Sequence, residues 1–199
     1  MIVTKVEVGP LRTNCYIVYN DKVCLIFDPG TKDYEELDKI LKKTNDKEVI
    51  VIATHGHYDH ILGMNKIQAQ KYLISESDFK NIVQLNQGFF QQNPLEEIKS
   101  KIEFLREKEY TFGNITFKAL ETRGHTKGSF CFMFEDFIIT GDTLFKGTFG
   151  RTDLFSGNID EMKHSLKKLA ELDPKLTILP GHGSPSVLIN EIPWIRELD

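Results

Sequence analysis

The sequence predicts an α/β fold, in which the strands of a sheet alternate with helices. Residues 23–28 and 49–53 are short apolar runs that are typical of strands, and between them apolar side chains recur at helical spacing over residues 34–43. A strand, a helix and a second strand in this order indicate a βαβ unit. Because the chain has 199 residues, of which 40% are hydrophobic, we expect one domain spanning residues 1–199 with a sizeable core.

The remaining elements follow from two periodicities, alternation for strands and a repeat of about 3.6 residues for helices. Further strands are predicted at residues 2–8, 16–19, 72–74, 115–121, 130–134, 137–140 and 176–179. Further helices are predicted at residues 61–66, from residue 76 onward and at residues 160–172. The polar residues 20–22 separate two strands and indicate a hairpin turn. Residues 91–109 fit neither periodicity, and we assign no element to them.

Composition and charge exclude several classes of partner. No run approaches the ~20 apolar residues that a membrane span needs, and the first residues alternate like a strand, so we expect a cytoplasmic protein without membrane association. A net charge of -4 without a block of Lys or Arg predicts no nucleic-acid partner. Nothing in the sequence bears on the oligomeric state.

The three cysteines lie in apolar stretches, and their number is odd. We therefore expect Cys15, Cys24 and Cys131 to be buried free thiols rather than parts of a disulfide framework. A disulfide between Cys15 and Cys24 is the alternative, because these residues flank the predicted hairpin turn and cross-strand neighbours lie close together.

Five of the six histidines follow predicted strands instead of lying within them. Each of four apolar strands runs into a short loop that contains glycine and a side chain able to bind a metal ion. Because ligand sites of α/β sheets lie beyond the carboxyl ends of strands, we expect the four loops to converge. The sixth histidine, His164, lies in a predicted helix and is assigned no role. The candidate metal ligands are His55, His57, Asp59 and His60 in one loop and His125, Asp142 and His182 in the other three.

The types and spacing of these residues point to a metal centre. The pattern of three histidines within residues 55–60 arises by chance in roughly one chain in several thousand. Imidazole and carboxylate ligands without a nearby thiolate suit zinc, iron or manganese. A catalytic metal typically takes about three protein ligands, so seven ligands divide into three, three and one bridging carboxylate. The sequence therefore predicts two divalent metal ions, with zinc preferred and iron or manganese as alternatives.

These motifs resemble those of the metallo-β-lactamase superfamily along essentially the whole chain. Asp28-Pro29-Gly30, the signature at residues 55–60, His125, Asp142 and His182 match its five motifs in order. Residues 141–145 followed by Gly150-Arg151-Thr152-Asp153 resemble the glyoxalase II (hydroxyacylglutathione hydrolase) branch in a short form without the C-terminal helical domain. The resemblance implies a four-layer αββα sandwich of two mixed sheets flanked by helices.

The resemblance also implies a role for each ligand. It places one metal on His55, His57 and His125 and a second on Asp59, His60 and His182. Asp142 would bridge the two ions, and Asp28 would orient the ligand loops by hydrogen bonds without touching metal. Lactamases of the superfamily usually have Cys at the bridging position, so Asp142 argues against that activity.

The expected activity is hydrolysis of a small acyl thioester similar to S-lactoylglutathione, by attack of a metal-bridging hydroxide on the carbonyl. Asp59 and Asp142 are the expected catalytic carboxylates, since together with the hydroxide they leave the centre a single positive charge. No unassigned histidine or carboxylic acid remains in the motif loops to protonate a leaving group, which favours a thiolate. Because ligand imidazoles must be neutral, activity is expected to fall below about pH 6.

Substrate contacts and alternative functions are less defined by the sequence. Arg151 is a candidate to bind a substrate carboxylate, or else it pairs with Asp153 on the surface. Phe145 and Phe149 either line the substrate pocket or pack in the core. A mononuclear iron persulfide dioxygenase resembles the same motifs and is the alternative enzyme. A metal-binding domain without activity is the third possibility.

Overall fold

The computed structural model describes residues 1–198 and contains two six-stranded sheets packed face to face. Strands β1–β3 of the first sheet are antiparallel and β3–β6 are parallel, so the sheet is mixed. The strands lie in chain order: β1 (Ile2–Val8), β2 (Thr13–Tyr19), β3 (Val23–Phe27), β4 (Glu48–Ile52), β5 (Lys71–Ile74) and β6 (Ile102–Phe104).

The second sheet is also mixed, with the order β14-β13-β10-β9-β8-β7. Only β10 and β13 are parallel neighbours, and the other pairs are antiparallel. Strands β11 (Leu144–Phe145) and β12 (Thr148–Phe149) form a separate small hairpin. The strands of the second sheet are β7 (Lys108–Phe112), β8 (Ile115–Glu121), β9 (Phe130–Met133), β10 (Phe137–Gly141), β13 (Thr177–Pro180) and β14 (Ser186–Val187).

Helices cover the outer face of each sheet. The first three are α1 (Tyr34–Leu41), α2 (Tyr58–Ile61) and α3 (Glu76–Leu85), and their apolar faces pack on the first sheet. Helices α4 (Ile159–Ala170) and α5 (Leu188–Arg196) pack on the second sheet. The chain therefore has the predicted four-layer αββα order, which confirms this part of the sequence analysis.

The core between the sheets is rich in phenylalanine. Along β3, Cys24 and Ile26 face the helices, whereas Leu25 and Phe27 face the second sheet, as the alternation of a strand buried on both faces requires. The ring of Phe27 lies 5.2–6.1 Å from those of three phenylalanines in and next to the second sheet. Burial of each such ring contributes about 1.5–3 kcal/mol, so this cluster holds the two sheets together.

Several sequence predictions need correction in detail. The helix predicted at residues 61–66 is a four-residue helix at Tyr58–Ile61 followed by a 3-10 turn at Met64–Lys66, so it begins three residues earlier than expected. Residues 91–109 contain a 3-10 helix, Glu96–Lys101, together with β6 and the start of β7.

Two further expectations concern the state of the cysteines and the presence of membrane-spanning helices. All three cysteines are buried and free. The alternative disulfide is wrong, because Cys24 lies opposite Tyr19 in the β2–β3 register, four residues along from Cys15. Among residues 1–198, none of the helices combines the length and the apolarity that crossing a membrane requires.

We expect Phe117→Ala to lower the free energy of unfolding by about 3–5 kcal/mol, because Phe117 is 1% exposed and packs on Phe27 and Phe132. Tyr34→Ala is the control, since Tyr34 is 83% exposed and should change stability by less than about 0.5 kcal/mol. Urea unfolding measures both, and equal losses in the two variants would contradict this account of the core.

Candidate metal centre

Four strands end at the same edge of the sandwich and deliver the candidate ligands there. Strands β10 and β13 are parallel, and β8 has the same direction as β10 because β9 runs antiparallel between them. In the other sheet, β4 leads into the loop and helix α2 that carry the four ligands of residues 55–60. The structure brings all seven candidate ligands together, in overlapping groups whose ligand atoms lie within 4.8 Å of one another.

Three histidines form what we call the first half-site: His55, His57 and His125. His57 Nδ1 lies 3.0 Å from His55 Nε2 and 2.8 Å from His125 Nε2, and the two Nε2 atoms are 3.2 Å apart. All three side chains are buried. Three nitrogens with metal–nitrogen distances of about 2.0–2.1 Å around one tetrahedral ion have similar spacing, so this triangle fits a single metal ion.

Asp59, His60 and His182 form the second half-site. Asp59 Oδ2 lies 3.4 Å from His60 Nε2 and 3.3 Å from His182 Nε2. Asp59 and His60 belong to helix α2 rather than to an irregular loop, and this short helix turns both side chains toward the same point.

Asp142 lies between the two half-sites. Its Oδ1 is 3.4 Å from His60 Nε2, and its Oδ2 is 3.5 Å from His182 Nε2 and 3.6 Å from His125 Nε2. His60 Nε2 and Asp142 Oδ1 are buried without a hydrogen-bond partner in the protein. Buried polar atoms rarely lack a partner, so these two atoms fit ligands of a bound cation.

The histidine pKa values shift in opposite directions in the two half-sites: they are lowered in the first and raised in the second. Burial, together with repulsion between neighbouring imidazoles, holds the pKa of His55 well below its usual range and lowers that of His57 to about 3. Burial also lowers the pKa of His125. These imidazoles are therefore neutral at physiological pH, which is the state that binds metal.

Carboxylates dominate the second half-site. Burial disfavours charge on His60, but Asp59, Asp142 and Asp28 outweigh it and raise the pKa of that histidine. Burial is likewise outweighed at His182, where a hydrogen bond to Asp59 and the charge of Asp142 raise the pKa. Burial opposes ionisation of Asp59, yet His60 and His182 hold its pKa below the usual range. Without metal, these imidazoles hold protons close to the carboxylates, so protons and metal compete for the second half-site.

Asp28 hydrogen-bonds the ligand His60 and the residue before His55 without being one of the clustered ligand groups. Its Oδ2 accepts hydrogen bonds from His60 Nδ1 at 2.9 Å and from Thr54 Oγ1 at 2.8 Å, and its Oδ1 accepts one from Thr54 N at 2.7 Å. Asp28 has a φ of 54°, a left-handed conformation that costs about 1–3 kcal/mol at a residue other than glycine. The three hydrogen bonds offset this cost and orient His60.

Two glycines leave room for the ligands. A Cβ atom on Gly181 would lie 2.2 Å from Asp142 Oδ1, and one on Gly30 would lie 1.4 Å from the carbonyl oxygen of Asp59. Larger residues at these positions would displace a ligand or its backbone.

Several contacts that support the ligands were missed in the sequence analysis. Thr13 Oγ1 donates to Asp59 Oδ2 at 2.9 Å, and the backbone carbonyls of Leu11 and Arg151 accept from the Nδ1 atoms of His182 and His125, at 3.1 and 2.8 Å. Their partners lie 26 to 171 residues away along the chain, so no local pattern indicates them.

Two buried side chains at the ends of helix α3 were also missed: Asp78 in its first turn and Asn86 just after its last residue. Burial raises the pKa of Asp78 to about 6, and both side chains bond the loop between His55 and His57. The spacing of Ser75 and Asp78 matches a helix N-cap, and only this local role was readable from the sequence.

A cavity of about 320 Å³ opens onto the metal centre. Its lining includes the candidate ligands His57, Asp59, His125, Asp142 and His182 together with Leu11, Tyr58, Leu85, Asn86, Gln87, Arg151 and Leu154. A cavity of this size admits a small molecule, and its mixed apolar and polar lining is typical of ligand sites.

The candidate substrate contacts fall in different places. Arg151 lines the cavity, but its guanidinium donates to both carboxylate oxygens of Asp153, at 2.7 and 2.8 Å, at an exposed position. Phe145 contacts the edge of His182, with ring centroids 6.2 Å apart. Phe149 stacks on Trp194 and packs with the second sheet and its helices, so the structure places it outside the cavity lining.

The chain is similar in sequence to known proteins. Residues 8–182 match the model of the metallo-beta-lactamase superfamily. A Bacillus subtilis protein named "Probable metallo-hydrolase YqgX" is 30% identical over 198 residues, which cover 94% of this chain and 92% of that protein. The hydroxyacylglutathione hydrolase of Wigglesworthia glossinidia brevipalpis is 32% identical over 170 residues, which cover 84% of this chain and 60% of that protein.

Two solved structures have the same architecture. The B3 metallo-beta-lactamase BLEG-1 aligns with a TM-score of 0.77 and 27% identity over 96% of this chain and 97% of its own. TTHA1623, in a di-iron-bound form, aligns with a TM-score of 0.77 and 26% identity over 94% of this chain and 96% of its own. Fold, His/Asp cluster and sequence agree: the chain belongs to the metallo-beta-lactamase superfamily and resembles its metallo-hydrolases.

Proposed function

We propose that this protein is a dinuclear metal-dependent hydrolase of small acyl thioesters, similar to glyoxalase II. The observation that carries the proposal is the position of Asp142, whose two oxygens face both half-sites within 3.4–3.6 Å of three imidazole nitrogens. A carboxylate in this position is suited to bridge two ions, with zinc preferred and iron or manganese as alternatives.

The seven candidate ligands divide into two sets, one for each ion, with Asp142 in both. His55, His57 and His125 would hold one, Asp59, His60 and His182 the other, and Asp142 both. When bound, the pair of ions supplies a nucleophilic hydroxide at neutral pH and an electrophile for the carbonyl oxygen. Asp59 and Asp142 reduce the net charge of the centre while leaving it positive, which stabilises the oxyanion formed in acyl transfer.

The lining of the cavity supports a thioester as substrate. Among the described lining residues, every histidine and carboxylate is a candidate metal ligand, so none is left to protonate an amine leaving group. A thiolate leaves without prior protonation. The similarity to a hydroxyacylglutathione hydrolase supports the same substrate class, an acyl group on a small thiol carrier.

Metal analysis combined with a substrate panel tests this proposal. For protein purified without chelator, we expect two metal ions per chain and hydrolysis of acyl thioesters such as S-lactoylglutathione. One iron per chain with oxygen uptake on a persulfide would instead establish the dioxygenase alternative. If the protein holds two metal ions and hydrolyses neither thioesters nor β-lactams, the site binds metal without hydrolytic activity.

Asp142→Asn tests what the proposed bridging carboxylate contributes, because the other six candidate ligands stay in place. We expect kcat/KM for the thioester to fall at least about 100-fold, because metal-ion stabilisation of the transition state contributes several kcal/mol. The metal content should fall from two ions toward one. His164→Ala is the control, since His164 lies on helix α4 outside the candidate ligand groups and should leave both values unchanged. Wild-type activity of Asp142→Asn would refute the bridging role.

The opposite pKa shifts of the two half-sites predict stepwise metal loss on acidification. The raised pKa values of His60 and His182 mean that protons displace metal there first, as the pH falls below neutral. The lowered pKa values of His55 and His57 keep the first half-site neutral at these pH values. Dialysis at stepped pH with metal analysis should show loss of one ion together with activity. Simultaneous loss of both ions would contradict the assignment.

A further inference from the structure

Helix α3 begins and ends against the loops that carry the first half-site. A Cβ atom on Gly56, between His55 and His57, would lie 2.9 Å from Asp78 Cβ. A Cβ atom on Gly128, three residues after His125, would lie 2.3 Å from Asp78 Oδ1. The first turn of this helix is therefore in direct contact with both ligand loops.

The carboxylate of Asp78 binds these two loops to each other. Its Oδ2 accepts hydrogen bonds from Gly56 N and from Thr126 Oγ1, both at 2.8 Å, and Thr126 Oγ1 in turn accepts from Gly128 N at 3.3 Å. Gly56 separates two ligands, and Thr126 follows the third. Asp78 is 1% exposed, so water does not compete for these bonds.

Asn86, just beyond the other end of the helix, forms a second hydrogen bond to the backbone of Gly56. Its Nδ2 donates to Gly56 O at 3.0 Å, and its Oδ1 accepts from Tyr58 N at 2.6 Å. Both the N–H and the C=O of Gly56 are thus bound by side chains at the two ends of helix α3, which is kinked at Asn81. This fixes the peptide between His55 and His57.

We propose that Asp78 is a positioning residue of the metal centre, which sets the spacing of His55, His57 and His125 by binding their two loops to the start of helix α3. The inference rests on the metal centre of the proposed function. It concerns one half-site, because Asp78 bonds Gly56 and Thr126, which neighbour the ligands of that half-site, and bonds neither helix α2 nor the loops of Asp142 and His182. Loss of a partner that orients metal ligands typically weakens metal binding about 10–100-fold.

Asp78→Asn keeps the shape of the side chain but removes its negative charge, so the hydrogen bonds from Gly56 N and Thr126 Oγ1 lose their charge assistance. Its effect is measured in two backgrounds: His182→Ala, which leaves the first half-site intact, and His125→Ala, which leaves the second. Zn²⁺ affinity is determined by competition with a chromophoric chelator. We expect a loss of roughly tenfold in the His182→Ala background and less than about twofold in the His125→Ala background.

Glu191→Gln is the matched control. Glu191 is 2% exposed and accepts hydrogen bonds from Gly147 N, Ser186 Oγ and Trp194 Nε1, away from the first half-site. It should leave the affinity of the His182→Ala background unchanged. If Asp78→Asn does not fold, Thr126→Val removes one of the same hydrogen bonds with little change in volume, and it should weaken Zn²⁺ binding in that background only.

The outcomes separate this inference from the proposed function. Equal losses in both backgrounds, or no loss in the His182→Ala background, would overturn the positioning role of Asp78. If the wild-type chain binds a single Zn²⁺ that His125→Ala abolishes, the two-metal proposal fails. The comparison of Asp78→Asn with Glu191→Gln then still decides the role of Asp78 on that ion.

Discussion

The structure depends on one constraint: seven buried or half-buried ligand groups must share a small volume at the edge of a sandwich. Imidazole nitrogens 2.8–3.2 Å apart and carboxylates beside them are costly to bury unless a partner compensates each group. Two cations would compensate most of them. The second ring nitrogens of His60, His125 and His182 bond Asp28 or backbone carbonyls, and Thr13 bonds Asp59, so the protein positions these four ligands before any metal is bound.

The two half-sites are built from different chemistry. One consists of three neutral imidazoles whose low pKa values follow from burial, and the other combines two imidazoles with a carboxylate that favours their protonated form. Asp142 belongs to both. Such asymmetry allows one ion to bind more firmly than its neighbour, which suits a centre where one position must exchange water or substrate.

Much of this architecture was predictable from the sequence, because its signals are local. The α/β class follows from periodicity, the four layers were implied by the resemblance to the metallo-β-lactamase superfamily, and the ligands stand out because rare residue types recur directly after strands. Helix α2 was not predicted in its place, since four residues carry too little periodicity. The roles of Thr13, Asp78 and Asn86 depend on contacts between segments 22 to 48 residues apart, and these exist only after the sheets have packed.

The central claim is that loops from both sheets hold a pair of ions bridged by Asp142. Anomalous diffraction from crystals of the metal-loaded protein tests it most directly. We expect two peaks about 3.5–4 Å apart, one beside His55, His57 and His125 and the other beside Asp59, His60 and His182, with Asp142 between them. A single peak at full occupancy, or a second peak away from Asp142, would contradict the account.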